Sequence, residues 1–143
     1  VEKAGYAELI ESIVECKPLY IGSNGEDCVA ELPSTDVLRT ADPNLERVRE
    51  LSERGLLLTA KDNSGQFDYI YRAFFPKLDI AEDPVTGAAN TLLAPYWAEK
   101  LGKSSLKAYQ ASKRGGELKL EVGSERILIS GKVKTVIVGD LMY

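Results

Sequence analysis

The stretch TGAANTLLAPYWAEKL, which runs from Thr86 to Leu101, decides the fold. On a helix its apolar residues would cover most of the circumference, whereas a surface helix carries a single apolar stripe. The pattern therefore predicts a helix that lies inside the domain. Burying a helix in a small domain requires strands on several sides, which a curled sheet wrapped around one central helix provides.

Shorter segments on both sides of this helix carry the periodicities of strands and helices. Helices are predicted at residues 7–14 and from the start signal Asp42-Pro43-Asn44 to Gly55, with Asp42 accepting backbone N–H bonds. Strands are predicted at residues 19–21, 28–32, 56–60, 67–75, 106–111, 117–122, 126–129 and 133–138. We expect an α+β lobe with an antiparallel, barrel-like sheet wrapped around the central buried helix.

The composition sets the size of the domain and excludes several classes of function. With 143 residues, of which 44% are apolar, the chain is long enough to bury a core and too short for two ordinary domains. Its net charge of -4 comes from interspersed charges, which form no basic stripe for nucleic acid. The sequence has neither an apolar run of the roughly 20 residues that span a membrane nor the apolar core of a signal peptide. We expect a cytoplasmic protein that binds neither nucleic acid nor membranes.

Histidine is absent from the sequence, which removes the commonest base near neutral pH and the commonest metal ligand. A serine-histidine triad is therefore excluded within this chain. The two cysteines, Cys16 and Cys28, are too few for a disulfide framework or a four-cysteine zinc site. They are predicted to be buried, reduced thiols. The composition thus predicts no metal site.

The loop EDPVTGAAN, which leads into the central helix, has residue types that suit an anion. Gly87, Ala88 and Ala89 have no bulk that would screen the first backbone N–H groups. Those unpaired donors, at the positive end of the helix dipole, favour a carboxylate or phosphate. Thr86 can add a hydroxyl, and Asp83 can cap the loop or stand beside the ligand as a polar or proton-handling group. The same spacing also fits a well-capped helix with small residues for tight packing.

Further candidate residues near this loop are Arg72, Trp97 and the triplet Arg114-Gly115-Gly116. Arg72 is predicted to be a strand residue that pairs with a carboxylate. Trp97 is predicted to be a core residue whose indole N–H needs one partner. The triplet Arg114-Gly115-Gly116 has two interpretations. It either places a guanidinium near a ligand-binding cleft or starts a strand, with positive φ at one or both glycines.

Three motifs in this order resemble the phenazine-biosynthesis (PhzF-like) family. They are RAFFP at residues 72–76 followed by EDPVTG at 82–87, then LAPYW at 93–97, and QASKRGGEL at 110–118. The resemblance is dense over residues 72–139 and weaker, though in register, over residues 1–70. It matches the C-terminal half of a protein with the diaminopimelate-epimerase fold, in which two similar lobes each wrap a barrel-like sheet around a helix. The active site of that family lies between the lobes.

The resemblance implies a cofactor-independent isomerase that moves a proton on a small carboxylate-bearing metabolite. The main acid/base of the family is a glutamate in the N-terminal lobe. No motif here matches its surroundings, so we expect that residue outside this chain. Asp83 matches an auxiliary polar or proton-handling group in the cleft. The positions implied to bind the substrate carboxylate are Thr86, Gly87, Ala88 and Ala89.

Two positions depart from the usual Thr-Gly-Ser-Ala-His pattern of the family, because Ala88 and Asn90 replace the serine and the histidine. The alternative function is therefore a non-catalytic small-anion-binding or protein-interaction protein that keeps the fold.

The sequence starts at Val1 in what reads as the end of a helix, so we expect either an excised piece or a trimmed native start. An apolar face left exposed where the N-terminal lobe would pack predicts a homo-oligomer.

Overall fold

The structure is a computed structural model that describes residues 4–140 and 142. Seven strands form one sheet in their chain order, namely β1 (Tyr20–Ser23), β2 (Asp27–Glu31), β3 (Gly55–Lys61), β4 (Tyr69–Phe74), β5 (Ser105–Gln110), β6 (Gly116–Val122) and β7 (Ile127–Gly131). The helices are α1 (Ala7–Val14), α2 (Thr35–Thr40), α3 (Leu45–Val48) and α4 (Asn90–Leu101), with short 3-10 helices at Ala4–Tyr6 and Pro76–Leu78. None of the helices in these described ranges is long and apolar enough to cross a membrane.

The sheet is mixed. Strands β2 and β3 pair in parallel, as do β4 and β5, and the other neighbours are antiparallel. The α+β class is confirmed, but the expectation of an antiparallel sheet is wrong at these two pairs. Parallel neighbours need a long crossover, and helices α2 and α3 provide the first while α4 provides the second. Within the described residues no pairing joins β1 to β7, so this sheet is open.

Each face of the sheet carries its own core, because alternate residues of a strand point to opposite faces. Leu56 and Leu58 of β3 pack in the core that contains α1, whereas Leu57 packs in the core that contains α4. Strands β2, β3 and β4 are therefore buried along almost their whole length. Strands β5 and β6 alternate between buried and more exposed residues.

Helix α4 contacts strands β2, β5, β6 and β7, and its fully buried residues include Leu93, Ala94 and Trp97. The helix begins at Asn90, four residues later than predicted, because the turn before it uses bonds between residues three apart. The Asn90 N–H donates to the Gly87 carbonyl at 3.0 Å. The helix is also not buried around its full circumference, since one stripe is exposed, at Thr91, Pro95 and Glu99.

The helical segments between β2 and β3 differ from the prediction in number and in their caps. Helix α3 is a single turn whose first N–H groups are capped by Asn44, which accepts from the Arg47 N–H at 3.2 Å, rather than by Asp42. Helix α2 has no counterpart in the predicted elements, although Ser34 is an N-cap residue of the expected type. A six-residue helix is too short to show a helical periodicity, which explains why the pattern did not reveal it.

The strand predicted at residues 133–138 is not formed. Its apolar side chains are exposed, with exposed fractions of 95% at Val133, 82% at Val136, 85% at Ile137 and 89% at Val138. A strand requires a hydrogen-bonded neighbour, and β7 is the last strand of the described sheet. Apolar, β-branched composition alone therefore gave the wrong prediction for this segment.

Candidate ligand-binding site

Arg72 on β4 fixes the beginning of the loop that precedes α4. Its guanidinium donates to both carboxylate oxygens of Glu82, at 2.7 and 3.0 Å. It also donates to the carbonyls of Leu38 and Ala41, at 3.2 and 2.6 Å. The prediction that Arg72 pairs with a carboxylate is confirmed. The pair connects the loop to the end of α2 and neutralises the charge of Glu82.

Gln110, the last residue of β5, holds the middle of the same loop. Its fully buried amide accepts from the Thr86 N–H at 2.5 Å and donates to the Asp83 carbonyl at 2.7 Å. The amide also donates to the Thr86 hydroxyl at 3.1 Å, and that hydroxyl donates to the Asp83 carboxylate. The sequence pattern gave Gln110 no role, and its place in the third family motif was the only signal.

Asn90 supports the loop from within the core. Its buried side chain accepts from the Tyr69 hydroxyl at 2.6 Å and donates to the Tyr71 hydroxyl at 3.0 Å. The Tyr71 hydroxyl in turn donates to the Thr86 carbonyl at 3.0 Å. Burial raises the pKa of both tyrosines above the ordinary value, so the hydroxyls stay protonated donors at neutral pH. Asn90 thus has a structural role that its position in the sequence does not reveal.

The turn into α4 has three consecutive backbone N–H groups that are unpaired within the described residues. The N–H groups of Gly87, Ala88 and Ala89 donate to no acceptor among residues 4–140 and 142. The Thr86 N–H, by contrast, donates to Gln110. Apart from Gly87 and its two chain neighbours, no heavy atom of the described residues lies within 4 Å of the place where a Cβ at Gly87 would be, so the turn borders open space there. The arrangement can accept an anion, because unpaired donors and the helix dipole both favour negative charge.

A groove of about 610 Å³ adjoins this loop, and its lining residues are Ala81, Glu82, Pro84, Ser112, Lys113 and Arg114. Gly115 has a φ of +73°, as the interpretation of a strand start requires. A Cβ at Gly116 would overlap Cγ2 of Val85, so the glycine allows β6 to approach the loop closely. Arg114 is exposed beside the groove.

Thiols and carboxylates in the described part of the chain form no group of three that could hold a metal ion. Cys16 and Cys28 are not joined by a disulfide in the described residues. Cys28 is buried as predicted, whereas the prediction is wrong for Cys16, which is half-buried at the end of α1. Cys16 follows Glu15, whose left-handed backbone ends the helix and turns the chain towards the surface.

Comparisons with known proteins agree with the motifs. A sequence profile of the PhzC-PhzF family, described as phenazine biosynthesis-like protein, matches residues 3–139. The chain belongs to this family. A protein of Halalkalibacterium halodurans, named as an uncharacterized isomerase, is 42% identical over 135 residues, which cover 94% of this chain and 51% of the relative. A Pseudomonas aeruginosa protein named in the same way is 40% identical over 116 residues, or 81% of this chain and 44% of the relative.

Solved structures show the same relationship. The crystal structure of a PhzF-family phenazine biosynthesis protein of Enterococcus faecalis matches with a TM-score of 0.79 at 33% identity. The match covers 85% of this chain and 46% of that chain. The resemblance drawn from the three motifs is therefore confirmed, and the α+β fold is that of the PhzF family. The chain spans about half the length of the curated relatives that it matches.

Proposed function

We propose that the chain is the C-terminal lobe of a cofactor-independent isomerase that moves a proton on a small carboxylate-bearing metabolite. The observation that carries this proposal is the run of three N–H groups, at Gly87, Ala88 and Ala89, that donate to no acceptor in the described residues. Such donors at a helix start favour a carboxylate. Two relatives are named isomerases, which supports isomerisation as the reaction class.

The proposal gives each residue of the loop a role. Asp83 is the auxiliary polar or proton-handling group. Thr86 contributes its hydroxyl, which donates to Asp83, and the N–H groups of Gly87, Ala88 and Ala89 bind the carboxylate. The main acid/base is expected in the N-terminal half, so turnover requires both halves. The chain alone is expected to be inactive.

We also propose that residues 1–143 form one lobe, with the sheet curled around α4 as a barrel-like layer. Helix α4 contacts β2 near one edge of the sheet and β7 at the other, which supports such a wrap. A sheet that reaches a helix from both edges must curve around it. A cytoplasmic location stays a prediction from the sequence.

Addition of sulfate or benzoate to the ¹⁵N-labelled chain is expected to shift the amide resonances of Gly87, Ala88 and Ala89 before any others. Binding is expected to be weak, in the millimolar range or about 4 kcal/mol, because the N-terminal half would supply the rest of the cage. Gly87→Val is expected to weaken binding by about tenfold, or 1.4 kcal/mol. Valine would fill the open space in front of the turn. The measurement is a chemical-shift titration.

Arg47→Ala on α3 is the matched control. The Arg47 side chain is exposed and its guanidinium lies 3.6 Å from Glu50, so this change is expected to leave anion binding unaltered. The assignment would be contradicted by shifts centred on other segments, with residues 86–89 silent at saturating ligand in the two-lobed protein. Equal loss of binding in both variants would also count against a local effect of Gly87.

A second candidate function is non-catalytic binding of a small anion or of another protein. It is favoured by Ala88, whose methyl group adds no hydroxyl donor beside the N–H groups. The two functions can be separated by incubating the two-lobed protein with a panel of small carboxylates in D₂O. An isomerase is expected to place solvent deuterium on carbon, whereas a binding protein is expected to leave the carbon-bound hydrogens unexchanged.

The N-terminal half is proposed as the main protein partner, and we expect the chain to form a homo-oligomer in its absence. Several apolar side chains are more than half exposed in the structure, including Leu128 on β7 at 61% and Val133 at 95%. Clustered exposed apolar groups commonly mark contacts between proteins. Sedimentation equilibrium is expected to show a species larger than the monomer. A strict monomer that binds no hydrophobic dye would contradict this proposal.

A further inference from the structure

We propose that Gln110 is the positioning residue of the Asp83 and Thr86 pair, an inference that rests on the function proposed above. Gln110 is fully buried, and its backbone lies at the end of β5 between its sheet partners Tyr71 on β4 and Gly116 on β6. The amide is therefore anchored in the sheet while it contacts a loop. Its three hydrogen bonds all go to Asp83 and Thr86.

The orientation of the amide is set by its two backbone partners. Oε1 accepts from the Thr86 N–H at 2.5 Å, and Nε2 donates to the Asp83 carbonyl at 2.7 Å. A reversed amide would place a donor against a donor and an acceptor against an acceptor, so only one orientation satisfies both contacts. Nε2 must then also face the Thr86 hydroxyl, which lies 3.1 Å away.

This orientation gives the Thr86 hydroxyl a single direction. A hydroxyl has one hydrogen, and Oγ1 of Thr86 already accepts from Gln110, so its hydrogen goes to the Asp83 carboxylate. Gln110 thereby holds the carboxylate of Asp83 in one orientation. It also withdraws the Thr86 N–H from any ligand, which leaves the three following N–H groups to bind an anion.

The test compares Gln110→Met with Gln110→Glu in the labelled chain. Methionine removes all three bonds, whereas a carboxylate keeps an acceptor for the Thr86 N–H but has no donor for the Thr86 hydroxyl. We expect the hydrogen exchange of the Thr86 amide to be at least tenfold faster in Gln110→Met and little changed in Gln110→Glu. In both variants the Thr86 χ1 couplings and the ¹³C resonance of the Asp83 carboxyl are expected to change, because the Thr86 hydroxyl has lost the donor that holds it in its orientation towards Asp83.

A purely structural glutamine would leave the Thr86 couplings and the Asp83 resonance of a folded Gln110→Glu protein as in the wild type, and that result would overturn the proposal. If neither variant folds by circular dichroism, Thr86→Val and Thr86→Ser replace them. Valine should shift the Asp83 resonance and serine should restore it, and an unshifted resonance in Thr86→Val would again overturn the proposal.

The same samples separate this inference from the proposed function. A wild-type chain that responds to neither sulfate nor benzoate would argue against the anion site. The Thr86 and Asp83 signals need no ligand, so they would still decide the role of Gln110. If the anion site is present, Gln110→Met is expected to weaken benzoate binding several-fold, because the turn is no longer fixed. Unchanged affinity in Gln110→Met, together with unchanged Thr86 couplings, would reject the positioning role.

Discussion

Replacing Trp97 by alanine is expected to lower the free energy of unfolding by about 3–5 kcal/mol, the range for removal of a large buried aromatic side chain. Trp97 is fully buried, and its ring stacks on Tyr69 with centroids 5.6 Å apart. Its indole N–H donates to the Thr59 hydroxyl oxygen at 2.9 Å, which supplies the single partner that the sequence required. Alanine would remove these contacts and leave a cavity between α4 and the sheet. Small domains have a total stability of about 5–15 kcal/mol, so this loss would be a large fraction of the total.

Guanidinium denaturation followed by circular dichroism measures this loss without relying on tryptophan fluorescence. Trp97→Phe keeps a ring but loses the indole N–H, and it is expected to cost about 1–2 kcal/mol. Leu78→Ala is the surface control, because Leu78 is 54% exposed and its truncation is expected to change stability by less than about 0.5 kcal/mol. If Trp97→Ala lowered the free energy of unfolding no more than this control, the described packing of α4 on the sheet would be contradicted.

The sequence was sufficient for most elements because their signals are local. The hairpin of β1 and β2 follows from Asn24-Gly25, where Gly25 has the positive φ that such a turn requires. The short apolar run of β3 and the aromatic and β-branched residues of β4 likewise marked them as strands. Strand direction is not local, since alternation assigns a residue to a face but not to a parallel or antiparallel neighbour. The two parallel pairs could only be inferred from the helical connections between them.

The candidate site was likewise only partly predictable from the sequence. Small residues after Thr86 predicted accessible N–H groups from composition alone. The structure leaves three of them without an acceptor in the described residues, and of these three residues Ala89 is fully buried. The partners that hold the loop were not predictable, because Gln110 lies 24 residues from Thr86 in sequence and meets it only when β4 and β5 pair. The later start of α4 depends on the same tertiary contacts, which override the helical periodicity of residues 86–89.

Asn90→Ala is expected to destabilise the protein and to loosen the turn at the same time. The Asn90 side chain is fully buried and is the acceptor for the Tyr69 hydroxyl. Its removal would leave that hydroxyl without this acceptor and would end the amide's bond to Tyr71. A buried polar group that loses its partner costs about 1–3 kcal/mol, and two such losses predict a total of about 2–6 kcal/mol. The Asn90 amide also contacts the Thr86 and Gly87 carbonyls. These contacts are longer, at 3.4 Å, and are therefore weaker than its bonds to the two tyrosines.

A double-mutant cycle of Asn90→Ala with Tyr71→Phe tests whether the two side chains act as one hydrogen-bond network or stabilise the protein independently. Tyr71 both accepts from Asn90 and donates to the Thr86 carbonyl, so the two changes are expected to be coupled by about 1 kcal/mol. Glu99→Ala, on the exposed stripe of the same helix, is the matched control and is expected to change stability by less than about 0.5 kcal/mol. Hydrogen exchange of the Thr86 amide, which donates to Gln110, should accelerate in Asn90→Ala but not in Glu99→Ala. Additive losses with unchanged exchange would mean that Asn90 stabilises the core without positioning the turn, and the anion site would then depend on Gln110 and Arg72 alone.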